Sequence, residues 1–246
     1  MKTRCLAQIG LGFLGVVACS NASAVLIQDN YWGADGFRRL SDRDVIGEKR
    51  YDIDSMEVTF DNLYMKVVVN TNFINSAANP DPYGVNYGDL FISTNGWNPK
   101  TSGTHYSNDN IFTGEKWEFV FDTDTGMLHG GDFSINTSNH FFGSTNYYYR
   151  KNQEVQYASG GTSLNDSSSI DLLNVGDGGY IEYNILLSSL GLTSDTDIGF
   201  KWGMTCANDT IEGVVHYTSV PEPATVLMFG LGLLGLGMSA RKKNSN

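Results

Sequence analysis

The sequence predicts an all-β chain: a single β-sandwich, jelly-roll-like, flanked by an N-terminal signal peptide and a C-terminal transmembrane helix. Three observations predict it. Apolar residues recur with period two in several short runs, the pattern of strands with one buried face. The stretches between them are rich in Asn, Gly, Asp and Ser, the residues that close turns. No run in residues 25–219 keeps an apolar 3.6-residue period for three turns, so amphipathic helices are not expected there.

Taken in order, the first element is a processing segment. Lys2 and Arg4 form a basic start, Cys5 to Val17 is almost wholly apolar, and Ala22-Ser23-Ala24 supplies small side chains for a signal peptidase. Residues 1–24 therefore read as a signal peptide cut after Ala24, with Ala22 and Ala24 as the cleavage-site residues. The apolar run is too short to span a bilayer comfortably. Val16-Val17-Ala18-Cys19 also fits a lipobox, in which Cys19 would be acylated. That reading ranks second, because an anchor already exists at the other end.

The body, residues 25–219, is the size of one large β-domain. Met56, Val58 and Phe60 alternate with Glu57 and Thr59, and Leu63, Met65, Val67 and Val69 form a second apolar face. Asp61-Asn62 joins these two strands as a tight hairpin. Trp117, Phe119 and Phe121 alternate with Glu118 and Val120. Ile181, Tyr183, Ile185 and Leu187 alternate with Tyr180, Glu182, Asn184 and Leu186. Asp89–Ser93, Phe200–Cys206 and Ile211–Tyr217 also read as strands, and Ser188–Gly191 as a single helical turn. Asn70–Gly88 and Asn95–Gly114 are expected as polar surface loops.

The body keeps 11 of the 16 basic and 26 of the 27 acidic residues, a net charge of −15 with His neutral. Such a surface repels nucleic acid and anionic headgroups, which excludes DNA binding. Cys5 and Cys19 lie in the leader, so Cys206 is alone in the mature chain and no intramolecular disulfide can form. Phe200, Trp202, Met204 and Cys206 share one parity, which makes Cys206 a small core residue, with Lys201, Gly203 and Thr205 on the other face.

The last element follows Val220-Pro221-Glu222-Pro223. Ala224 to Ala240 is uncharged, and Arg241, Lys242 and Lys243 come next. Seventeen helical residues rise about 25 Å, at the lower limit for a bilayer core of about 30 Å. The basic cluster stays cytoplasmic, so the body lies outside. These residues closely resemble the PEP-CTERM sorting signal: a Pro-Glu-Pro motif, a Gly- and Leu-rich apolar helix and a basic end, in that order at residues 220–246. The resemblance implies that exosortase, a membrane protease, recognises Pro221, Glu222 and Pro223 as a substrate, and that the tail is removed as the protein reaches the surface. The prolines make physical sense there, since they pre-order an extended strand for a protease.

The body itself resembles a family of exosortase-dependent surface proteins. The segments that carry the likeness include Tyr31-Trp32-Gly33, Asp44-Val45-Ile46-Gly47, Gly88 through Pro99, Trp117 through Asp122, Glu154-Val155-Gln156-Tyr157, Gly179 through Tyr183, and Trp202 through Asp209. That likeness implies an address and no molecular activity.

Candidate chemistry is sparse. Asp122-Thr123-Asp124-Thr125-Gly126 offers two carboxylates to calcium, but no Glu stands at the twelfth position of an EF-hand loop, which is Phe133. Hairpin chemistry explains those residues better. Asp52-Ile53-Asp54 and Asn208-Asp209 have the same two readings. Calcium is compatible with the acidic surface, yet no coordination set can be named, and no cofactor is expected. His105, His129, His140 and His216 lack zinc spacing. No Gly-x-Ser-x-Gly elbow occurs, and Gly176-Asp177-Gly178-Gly179 is not followed by a helical pattern. Glu118 and Glu182 are the carboxylates a glycosidase would need across a cleft. Trp32, Trp97 and Tyr147, the last beside Tyr148 and Tyr149, fall in expected loops, where flat rings can stack on sugars; covering the edges of the sandwich is the competing reading and ranks ahead of it. Trp117 and Trp202 fit core positions.

The expected function is therefore an exported, non-enzymatic cell-surface or matrix protein, processed by signal peptidase and exosortase. It would be anchored in the inner membrane by residues 224–240 with its body periplasmic, then presented at the surface or released. Exopolysaccharide is the ligand it would bind. A purely structural matrix protein and a secreted glycan hydrolase are the alternatives.

Overall fold

The computed structural model describes residues 24–29, 45, 49–76, 80–96, 115–138, 153–164, 169–175, 178–192, 195–218 and 232. The chain divides into two units, 22–220 and the two termini (1–21 with 221–246). Of the terminal unit only Gly232 is described, and it is helical. No helix among the described residues is long and apolar enough to cross a membrane. The expected span 224–240 lies outside them apart from that glycine.

Unit 22–220 is built from eleven described strands: β1 (Val25–Gln28), β2 (Ile53–Phe60), β3 (Tyr64–Thr71), β4 (Leu90–Ser93), β5 (Phe119–Asp122), β6 (Met127–Thr137), β7 (Glu154–Leu164), β8 (Ser169–Val175), β9 (Gly178–Leu186), β10 (Thr196–Gly203) and β11 (Thr210–Tyr217). One sheet runs β1-β2-β3-β9-β8 and the other β11-β10-β4-β5-β6-β7, and every pairing is antiparallel. Of the ten connections between these strands only three change sheets (β3 to β4, β7 to β8 and β9 to β10). The expected sandwich is therefore present, but meanders build it, with few of the sheet-to-sheet crossings of a jelly roll.

The apolar periods predict the inner faces. Met56 and Val58 of β2, Met65, Val67 and Val69 of β3, and Ile181, Tyr183 and Ile185 of β9 meet Leu90, Ile92, Phe121, Leu128, Phe200 and Trp202 of the other sheet in one core. Burying each large side chain contributes about 1.5–3 kcal/mol. Two polar atoms enter this core as a satisfied pair: Trp202 Nε1 donates to Tyr183 Oη at 2.7 Å. Cys206 is buried in the same core, as its parity predicts. A 3-10 turn at Leu187–Leu190 ends on Gly191 at φ 64°, the expected helical turn.

Three local expectations need correction. Leu63 does not share the β3 face; it is in the turn and 62% exposed. Asp61 Oδ1 accepts from the backbone N–H groups of both Leu63 and Tyr64 at 2.7 Å, which delays the start of β3 to Tyr64. Asn70–Gly88 is more than a surface loop, because Phe73 and Val85 are buried in the core. Buried Asp81 organises that segment by accepting from Tyr83 N–H, Val85 N–H, Tyr51 Oη and the Arg50 guanidinium. Trp117 is buried, but β5 begins only at Phe119, so its side chain packs with Phe91 and Val120 on the outer face of the six-stranded sheet. Lys201 takes the other face of its strand, as its parity predicts, and is nonetheless fully buried.

The last two have one cause. Beyond Gly130 the β6–β7 ladder shifts register, with Gly131 at φ 90°, Gly160 at φ 90° and Gly161 at φ 67°. These bulges fold the far half of the hairpin back over the outer face of its own sheet. Phe133, Ile135 and Tyr157 thereby pack onto Phe91, Trp117 and Val120. Asp89 N–H donates to Val155 O at 2.9 Å, and Asp89 Oδ2 accepts from Tyr157 N–H at 2.6 Å. The folded-back arm thus makes a second, smaller core.

Candidate functional site

Among the described residues, the outer face of the five-stranded sheet carries no such cover. β3 and β9 pair with Lys66 opposite Asn184, so their outward residues form one polar surface. Thr59, Phe60, Asp61, Tyr64, Lys66, Ser169, Glu182 and Asn184 line a shallow cleft of about 490 Å³ there. Lys66 Nζ lies 3.6 Å from Glu182 Oε2, and Asn184 Nδ2 donates to Glu182 Oε1 at 3.1 Å. Two aromatic rings, Phe60 and Tyr64, thus stand beside an amine, two carboxylates, a carboxamide and the hydroxyls of Thr59, Tyr64 and Ser169. Such a mixture suits a neutral, polyhydroxylated ligand, which offers apolar ring faces and paired hydroxyls.

The two carboxylates considered for glycoside hydrolysis do not face one another. Glu182 looks out from the five-stranded sheet. Glu118 shares the parity of Val120 on the opposite outer face, where its oxygens accept from Thr94 N–H at 2.9 Å and Asn95 Nδ2 at 2.5 Å. Asp122 serves the β5–β6 turn. Its Oδ1 accepts from Asp124 N–H and Thr125 N–H, its Oδ2 from Thr125 Oγ1, and Gly126 takes φ 69°. Asp209 likewise binds backbone, accepting from Ile53 N–H at 2.7 Å. Among the described residues no group of three or more His, Cys, Asp or Glu could hold a metal.

Asp89 is a strongly perturbed buried acid. Burial pushes its carboxyl up to about 7, against the backbone N–H groups of Thr123 and Tyr157 that favour the charged form; Asp122 and Asp124 add repulsion. It ties three elements together: the start of β4, the β5–β6 turn and the arm.

Of the residues proposed from sequence, Ala24 is exposed and directly precedes β1. Ala22, Trp32, Trp97, Tyr147, Pro221, Glu222 and Pro223 lie outside the described residues. Sequence reading missed Tyr64, Lys66 and Asn184 as a group. Their outward parity was visible, but the pairing of β3 with β9 spans more than a hundred residues and leaves no local signal.

A family model, the PEP-CTERM protein-sorting motif, matches residues 219–243. No curated protein and no solved structure matches the chain. The chain carries an exosortase-dependent sorting signal, which marks it as an exported or surface protein. The motif covers the Pro-Glu-Pro element, the apolar segment and the basic end.

Proposed function

We propose that this is a non-enzymatic exported protein whose β-sandwich binds exopolysaccharide at the cell surface or in the surrounding matrix. The observation that carries the address is the sorting motif at residues 219–243. In this reading signal peptidase cuts after Ala24, residues 224–240 hold the protein in the inner membrane with its body periplasmic, and exosortase releases it at Pro221-Glu222-Pro223. The uncharged segment ahead of Arg241-Lys242-Lys243 supports that orientation. The open cleft with Tyr64, Lys66, Glu182 and Asn184 supports the binding. Trp32, Trp97 and Tyr147 remain further candidate contacts.

Two measurements test this. The mass of the mature protein recovered from cells should correspond to a chain that starts at Val25 and lacks the C-terminal tail. A chain with both ends intact and soluble in the cytosol refutes the address. Residues 25–219 should bind isolated exopolysaccharide on an array, and Tyr64→Ala should weaken that binding at least tenfold, the loss of about 1.4 kcal/mol expected from one stacking ring. Absence of binding with or without calcium leaves the structural matrix protein, and release of reducing sugar establishes a hydrolase.

A further inference from the structure

The geometry points to a covalent cross-link inside the body: an isopeptide bond between Lys201 Nζ and the side-chain carboxamide of Gln153, formed with release of ammonia. Lys201 stands on the outer face of β10, yet none of it is exposed, because the folded-back arm covers it. Its amine donates to Gln153 Oε1 and Glu154 Oε2 at 2.7 Å each and lies 2.7 Å from Glu212 Oε1. Gln153 is 1%, Glu154 0% and Glu212 8% exposed, so water has almost no access.

Several features set this apart from a plain buried ion pair. One acceptor is a carboxamide, an acyl group with a nitrogen that can leave. A hydrogen bond of that length to a carbonyl oxygen leaves the carbonyl carbon about 3.5 Å from the donor, the outer edge of near-attack distance. Two carboxylates flank the amine where one would balance its charge. The cluster also joins segments that backbone pairing does not join, since β7 pairs with β6 at the sheet edge and β10 lies across it.

The chemistry closes without an oxidant. Burial opposes the charge on Lys201, but Glu212 and Glu154 outweigh it and hold the amine above its ordinary value, so the resting group is an ammonium. Reaction starts from the minor tautomer in which that proton sits on Glu154, while Glu212 stays ionised beside the amine. The Nζ lone pair attacks Gln153 Cδ and forms the C–N bond. Nζ passes a second proton to Glu212, Glu154 gives its proton to the amide nitrogen, and the Cδ–Nε2 bond breaks. Ammonia leaves and takes the proton held by Glu212. The sum is ammonium side chain plus carboxamide giving secondary amide plus ammonium ion. Ionised carboxylates are poor acyl donors, so Glu154 and Glu212 carry protons while Gln153 supplies the acyl group.

Such a bond would staple the arm across β10 in a mature body whose only cysteine is Cys206. It would restrict the unfolded chain as a disulfide does. Peptide mapping by mass spectrometry of the chain purified from expressing cells tests it. The expected product is a branched peptide joining Gln153 to Lys201, lighter by one ammonia than its two halves. Lys201→Met and Glu154→Gln should each abolish the branch. Recovery of Gln153 and Lys201 in separate unmodified peptides of the wild-type protein overturns the proposal, whatever the variants do. A branch at Glu154 or Glu212 with loss of water overturns the assignment to Gln153, and a branch that persists in Glu154→Gln overturns the role given to that acid.

Discussion

Asp89 shows how one residue converts burial into pH dependence. Its carboxyl is pushed up to about 7 in the folded protein, against about 3.9 for an unfolded Asp. The native state therefore holds the proton more tightly. The stability this group contributes is fully present below about pH 4 and is lost as pH rises toward 7, where the curve flattens. Urea midpoints measured from pH 4 to 8 should fall through that window. Asp89→Asn should remove the slope and lower the midpoint throughout, because an amide cannot accept from both Thr123 N–H and Tyr157 N–H. A midpoint that rises between pH 4 and 7, or a slope unchanged in the variant, contradicts the assignment. Parity correctly placed Phe200, Trp202 and Cys206 in the core and Lys201 on the other face, yet Lys201 is fully buried there. Alternation reports which face of a strand a residue occupies. It carries no information on whether another segment covers that face.

At the scale of elements, the arm formed by β6 and β7 depends on glycines in the left-handed region. A Cβ on Gly161 (φ 67°) would stand 2.9 Å from Gly130 O, which cannot withdraw because it is backbone. Gly161→Ala should cost about 1–3 kcal/mol, from dihedral strain plus the clash. Gly84 provides the control: its φ is 76°, but a methyl added there would meet nothing within 4 Å, so Gly84→Ala carries the dihedral strain alone. Chemical denaturation should rank Gly161→Ala well below Gly84→Ala. The Trp117 emission of the former should shift to the red as the second core loosens. Strands β2, β3 and β9 were legible because each alternates apolar with polar residues. β6, β7 and β8 were not, since Ser134-Ile135-Asn136-Thr137 and Ala158-Ser159-Gly160-Gly161-Thr162 read as turn composition. Their strand conformation comes from backbone pairing with neighbours, a source invisible in local periodicity.

At the scale of the whole molecule, the two sheets depend on a shared interior. Phe200 is fully buried in the core where the sheets meet. Phe200→Ala should destabilise the body by about 3–5 kcal/mol through lost burial and the cavity left behind. A single cooperative urea transition shifted to a lower midpoint is the expected result. Loss of one half of the transition alone would mean that the sheets do not fold as a unit.

The sequence by itself determined the address and the class of architecture. A sorting motif is read by a protease as a linear string, and a strand's apolar period is a property of neighbouring residues. Tertiary structure decided which outward residues gather into a surface and which internal charges meet. Lys66 meets Glu182 and Asn184 because β3 pairs with β9, and Lys201 meets Gln153 and Glu154 because a glycine-hinged arm doubles back. Both contacts join positions far apart in the chain, and the free energy that selects them is spread over a core that no single segment contains.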